Sequence, residues 1–135
     1  MRITIVWFVI ALALFGGFIT IQAADMRDKV KVEIESVGLH PGMDPGMYVC
    51  ALGHLHIKGT VQNLANVDLG QIKVAGKAFD ATGKLLGTAA ASTKEESLAP
   101  SRKADVNVEF LTVIGPMIQQ VKRHEVTVTA APSKL

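Results

Sequence analysis

From residue 29 onward apolar side chains recur at every second position, and a chain with that period must lay one face of a β-sheet against a core. The clearest case is Ala104, Val106, Val108 and Phe110, which alternate with Asp105, Asn107 and Glu109. Val30, Val32 and Ile34 alternate with Lys31, Glu33 and Glu35 in the first strand; Leu55, Ile57 and Val61 alternate with His54, His56, Lys58 and Thr60 in the second. Gln71 to Phe79 and Leu85 to Thr93 read as two more, joined by a hairpin at Asp80-Ala81-Thr82-Gly83-Lys84. Val121 to Ala130 reads as the last strand, with Val126, Val128 and Ala130 on one side and Glu125, Thr127 and Thr129 on the other. Two Pro-Gly turns, at Pro41 and Pro45, make Gly38 to Met47 a long loop. Asn63 to Asn66 reads as a turn, and Pro132 to Leu135 as a short loose tail. The expected fold is all-β: an antiparallel immunoglobulin-like β-sandwich of six or seven strands, spanning residues 25–135.

Ahead of the sandwich, Met1-Arg2 is followed by an apolar run, Ile3 to Ile21, that contains no charge. At helical rise the run covers roughly 28 Å, the thickness a transmembrane helix must span. Residues 1–24 are therefore expected to form a signal-anchor helix, the amino terminus staying in the cytoplasm and the sandwich on the periplasmic side of the inner membrane. The alternative is a cleaved signal peptide, for which Gly16, Gly17 and the small-residue end at Ala23 speak. A net charge of +2 offers no basic field for nucleic acid. The single cysteine, Cys50, excludes an internal disulfide, so the exported domain must be held together by its core.

Three stretches also carry a family resemblance: Ile57-Lys58-Gly59-Thr60-Val61-Gln62-Asn63, Ala78-Phe79-Asp80-Ala81-Thr82-Gly83-Lys84, and Leu98-Ala99-Pro100-Ser101 ahead of the Ala104 to Phe110 strand. Together they resemble the FxLYD-type exported domains, with their Gly-x-Val-x-Asn strand end, Tyr-Asp-x-x-Gly hairpin and Leu-x-Pro-Gly turn. Gly76 and Ala78 stand where that family prefers Phe and Leu, and Ser101 replaces the turn glycine. The resemblance implies an immunoglobulin-like fold and an interaction or accessory role, with no catalytic residues to carry over.

Chemistry concentrates between residues 40 and 56, where His40, Met43, Met47, Cys50, His54 and His56 form a stretch rich in soft ligands. A His-x-His pair on a strand sets both imidazoles on one face, roughly 7 Å apart, which suits a transition metal. With Met43, Met47 and Cys50 nearby the ion would be copper, or else zinc. The competing assignment is plain: His54 and His56 solvated on the polar face, Met43 and Met47 packed onto the sandwich. His124 reads as an edge histidine, and Cys50 has no neighbour in sequence that would activate a thiolate. The chain contains no Gly-x-Ser-x-Gly, no Cys-x-x-Cys, no His-Glu-x-x-His and no phosphate loop, so no enzymatic activity is expected.

A second candidate is the connection between the last two strands, where Val113, Ile114, Pro116, Met117 and Ile118 make an unusually apolar loop. Either Val113 and Ile118 close one end of the core, or the stretch docks on another subunit or the membrane surface. The expected function is that of a membrane-tethered, non-catalytic accessory subunit whose partners are other membrane or envelope proteins. The alternative is a periplasmic protein that binds or delivers copper through the cluster at residues 40–56.

Overall fold

The computed structural model describes residues 24–134, and the apolar run at 3–21 lies outside them. Among the described residues no helix is long and apolar enough to cross a membrane. The domain is mostly β and is built from antiparallel sheets packed as a sandwich. Its strands are β1 (Val30–Ile34), β2 (Met47–Val49), β3 (His54–Asn63), β4 (Leu69–Gly70), β5 (Lys73–Phe79), β6 (Leu85–Ser92), β7 (Ser97–Leu98), β8 (Lys103–Ile114) and β9 (Arg123–Ala130). A short helix, α1 (Pro116–Gln120), joins β8 to β9. Every alternating stretch of the sequence forms a strand; the additions are β2, β4 and β7, two or three residues each, too short to show a period.

In the first sheet β3 is central: β1 pairs with its Gly59–Asn63 half, β2 with its Leu55–Ile57 half, and β8 runs along the opposite edge. The second sheet has the order β6-β5-β9, and β4 pairs with β7. The core lies between the two sheets. Leu55, Ile57 and Val61 of β3 and Val106, Val108 and Phe110 of β8 meet Val74 and Ala78 of β5, all buried. Gly76 allows that approach, because a Cβ there would come within 2.7 Å of Val108 Cγ1 and 2.9 Å of Phe110 Cζ. The Phe110 ring thus occupies the space that a larger side chain on β5 would need.

One end of the sandwich gathers both ends of the described chain. Ala24 N–H donates to Ser133 Oγ at 2.9 Å, and Ser133 N–H to the Ala24 carbonyl at 2.8 Å. Asp25 pairs with Pro132, and Lys134 N–H donates to the Asp68 carbonyl at 2.8 Å. The described part of the expected loose tail, residues 132–134, is therefore pinned between the first described residues and the β4 region, where the Ser133 and Lys134 N–H groups and the Pro132 carbonyl find partners. Asn63, read from sequence as the start of a turn, is wholly buried at this base. Its Nδ2 donates to the carbonyls of Val67 and Leu98, both at 2.9 Å, and its Oδ1 accepts from Ala65 N–H at 2.8 Å. The far tip carries the β2–β3 turn, the end of β8, helix α1 and the β5–β6 hairpin. Asp80 closes that hairpin, and hydrogen bonds from Thr82 and the Lys84 amide hold its carboxyl below the ordinary value.

Ser101, at the turn before β8, has φ 68, the left-handed region a glycine would adopt freely. Non-glycine residues there are strained by about 1–2 kcal/mol, and glycine gives back about 0.5–1 kcal/mol through its freer unfolded chain. Ser101→Gly is therefore expected to stabilise the domain by ~0.5–1 kcal/mol, read as a rise of a few degrees in the thermal midpoint. An unchanged or lower midpoint would show that the serine is not strained.

Candidate functional site

Antiparallel register brings three side chains into one row on the outer face of the first sheet. Tyr48 of β2 stands opposite His56 of β3, and His56 opposite Glu109 of β8. Directly opposed residues project to the same side, so these three are neighbours although they are far apart in sequence. The adjacent row holds His54, and Cys50 sits at the start of the tight turn that leads into β3. Cys50 N–H donates to the His54 carbonyl at 3.1 Å, and Gly53 N–H to the Cys50 carbonyl at 2.9 Å.

Within the row His56 is stacked on Tyr48, ring centroids 4.7 Å apart and planes inclined by 24°. Its Nδ1 lies 2.8 Å from Asn107 Oδ1, and Asn107 Nδ2 donates to the Tyr48 hydroxyl. Nδ1 also lies 3.2 Å from the Tyr48 hydroxyl; with the amide oxygen of Asn107 turned toward the ring, the matching tautomer has Nδ1 donate and leaves Nε2 its lone pair. That lone pair has no hydrogen-bond partner, although His56 is only 8% exposed. The nearest group is Glu109 Oε1 at 3.7 Å, too long for a hydrogen bond. Leaving a buried polar atom unpaired costs about 1–3 kcal/mol. The same Glu109 oxygen is held by His54 Nδ1 at 2.9 Å. Ligating atoms of Cys50, His56 and Glu109 all fall within 4.8 Å of one another.

The sequence cluster at 40–56 is thus divided by the fold. Cys50, His54 and His56 come together, joined by Glu109. Met47 does not: it pairs with Ile57 on the inner face of the sheet and is buried in the core. Met43 packs against that core as well, and both methionines line a cavity of about 420 Å³ with Ile118, Val121 and Lys122. His40 is exposed. His54 and His56 share the polar face as expected, yet His56 is not solvated, because Tyr48 covers it. Both imidazoles face one oxygen of the Glu109 carboxylate, Oε1, His54 Nδ1 at 2.9 Å and His56 Nε2 at 3.7 Å. Sequence reasoning missed Tyr48, which lies on a strand too short to show a period, and Asn107 and Glu109, whose outward parity is plain but whose partners depend on register. His124 is half-buried, its Nε2 3.0 Å from the Pro45 carbonyl.

The apolar connection is likewise divided. The expected loop is largely regular structure: Val113 and Ile114 belong to β8, and Pro116, Met117 and Ile118 to α1. Val113 and Ile118 are buried and Met117 is half-buried, whereas Ile114 and Pro116 are exposed. A register shift opposite His54 and Leu55 explains the division. Leu55 faces Phe110 but His54 faces Ile114, so the shift turns Val113 inward and leaves Ile114 outside beside His54. Leu52, Leu111 and Ile114 are 80%, 64% and 51% exposed at this tip.

Neither a family model nor a curated protein matches the chain, so the resemblance to FxLYD-type domains rests on the quoted residues alone. Among solved structures the chain is similar to a DUF1425 family member from Shewanella sp. pv-4, with 19% identity and a TM-score of 0.42, over 77% of this chain and 99% of that one.

Proposed function

We propose that this protein is a membrane-tethered, extracytoplasmic interaction module, a non-catalytic accessory subunit of a membrane or envelope assembly. Its apolar run at 3–21 serves as the tether, with the amino terminus cytoplasmic and the sandwich periplasmic. The strand order supports an immunoglobulin-like reading of the FxLYD type: β1-β3-β8 and β6-β5-β9 correspond to the A-B-E and C′-C-F orders of such sandwiches.

The observation that carries the reading is the apolar tip of Leu52, Leu111 and Ile114. These side chains sit at the end of β3 opposite the base where residue 24 enters, about 30 Å away along ten residues of strand. A tether at the base turns them away from the bilayer, which favours a protein partner over the membrane surface. Exposed leucine and isoleucine gathered at one end are what a docking surface requires.

The test is co-purification of the full chain from its native membrane in mild detergent. Ile114→Asp with Leu111→Asp is expected to abolish recovery of the partner while leaving the thermal midpoint within about 2 °C, since exposed substitutions shift stability by about 0.5 kcal/mol or less. Recovery of the unsubstituted chain solely as a monomer refutes the reading.

A further inference from the structure

We propose that Cys50, His56 and Glu109 form a binding site for a divalent ion of the zinc class, with Asn107 and His54 as positioning residues. Zinc bonds to nitrogen, oxygen and sulfur are about 2.0–2.3 Å long, so tetrahedral ligands stand roughly 3.3–3.8 Å apart. His56 Nε2 and Glu109 Oε1, 3.7 Å apart, already have that separation. Ligating atoms of all three residues lie within 4.8 Å of one another, and Cys50 is a half-buried side chain on a turn, able to close the remaining gap by a rotamer adjustment.

The atom that points to a ligand is His56 Nε2, buried and without a partner. It is aimed rather than merely stranded. Asn107 Oδ1 accepts the Nδ1 proton, Tyr48 stacks on the ring, and together they fix the tautomer and orientation that present a lone pair to the cluster. His54 does the same for the carboxylate, holding Glu109 Oε1 at 2.9 Å. Two ligands therefore arrive with their supporting hydrogen bonds already made, which a chance meeting of surface residues does not provide.

The donor set also selects the ion. One thiolate, one imidazole and one carboxylate suit zinc, whereas Cu(I) prefers sulfur, and the thioethers of Met43 and Met47 are turned toward the core. Binding deprotonates the cysteine: the S–H bond breaks, the proton goes to solvent, and the thiolate pair forms the bond to the ion, with no change of oxidation state. Three protein ligands leave a fourth position for water or for a donor from a partner.

The test uses the full chain in detergent, kept reduced, titrated with zinc chloride by calorimetry and with cobalt chloride by near-ultraviolet and visible absorption. One equivalent of zinc bound at micromolar affinity or tighter is expected, with a cobalt–thiolate charge-transfer band. Cys50→Ser is expected to remove that band and weaken zinc binding about 100-fold or more, and Asn107→Leu to weaken it about 10- to 100-fold while the ligands remain. His40→Ala should bind as the unsubstituted chain does. Cys50→Ser is close in size at a half-buried site, so it keeps the test usable even where His56→Gln fails to fold. The absence of saturable zinc binding, or equal binding by Cys50→Ser, overturns the proposal.

Discussion

Asn63→Leu is expected to destabilise the sandwich by about 3–5 kcal/mol, a large share of the roughly 5–15 kcal/mol that holds a domain of this size folded. The side chain is wholly buried, and its amide satisfies three backbone groups: the Ala65 N–H and Val67 carbonyl of the turn that follows it, and the Leu98 carbonyl of β7 across the base. Leucine has nearly the same volume, so the loss measures unpaired polar groups rather than a cavity. Asn63→Asp keeps an acceptor for Ala65 but sets a carboxylate against two carbonyl oxygens, and should be no better tolerated. Urea unfolding of both variants, followed by circular dichroism on the full chain in detergent, gives the comparison. A loss below about 1 kcal/mol would mean that water replaces the amide and that Asn63 is an ordinary turn residue.

The second large effect concerns Phe110 and the glycine beneath it. Phe110→Ala empties the centre of the core and is expected to cost about 3–5 kcal/mol. Gly76→Val alone should cost about 1–3 kcal/mol, because its side chain must displace Val108 Cγ1 and the Phe110 ring, both under 3.0 Å from the new Cβ. In the double variant the valine occupies part of the vacated space, so the combined loss should fall short of the sum by at least about 0.5 kcal/mol. Simple additivity would show that Gly76 is not there to admit the ring.

How far the sequence reveals this molecule depends on what each residue's position is determined by. Ala104 to Phe110 is legible because one face is buried along its whole length, so burial writes a period of two into the residue types. Leu69–Gly70 and Ser97–Leu98 are too short to carry a period, and they exist only because the two segments meet. The cluster at 40–56 shows the sharper limit. Met47 and Tyr48 are adjacent, yet pleating sends one into the core and the other to the outer face, so closeness in sequence misleads in one of the two cases. Glu109 and Asn107 join His56 through the pairing of β3 with β8, a register that no local pattern contains. In the apolar connection the expected burial of Val113 and Ile118 holds, but the regular structure there is not legible: β8 runs on through a register shift opposite His54 that sets Val113 inward and Ile114 outward.

The clasp between Ala24 and Ser133 has a mechanical consequence. If the chain is held through residues 3–21 as proposed, tension enters at residue 24 and meets a few bonds: the paired Ala24 and Ser133 contacts, then the bond from Met26 N–H to the Ala131 carbonyl. The β1 ladder beyond them, Val30 to Ile34 against Asn63 to Gly59, takes the load next. Opening of the clasp alone would release residues 24–26 while the β1 ladder and the core behind it stay paired.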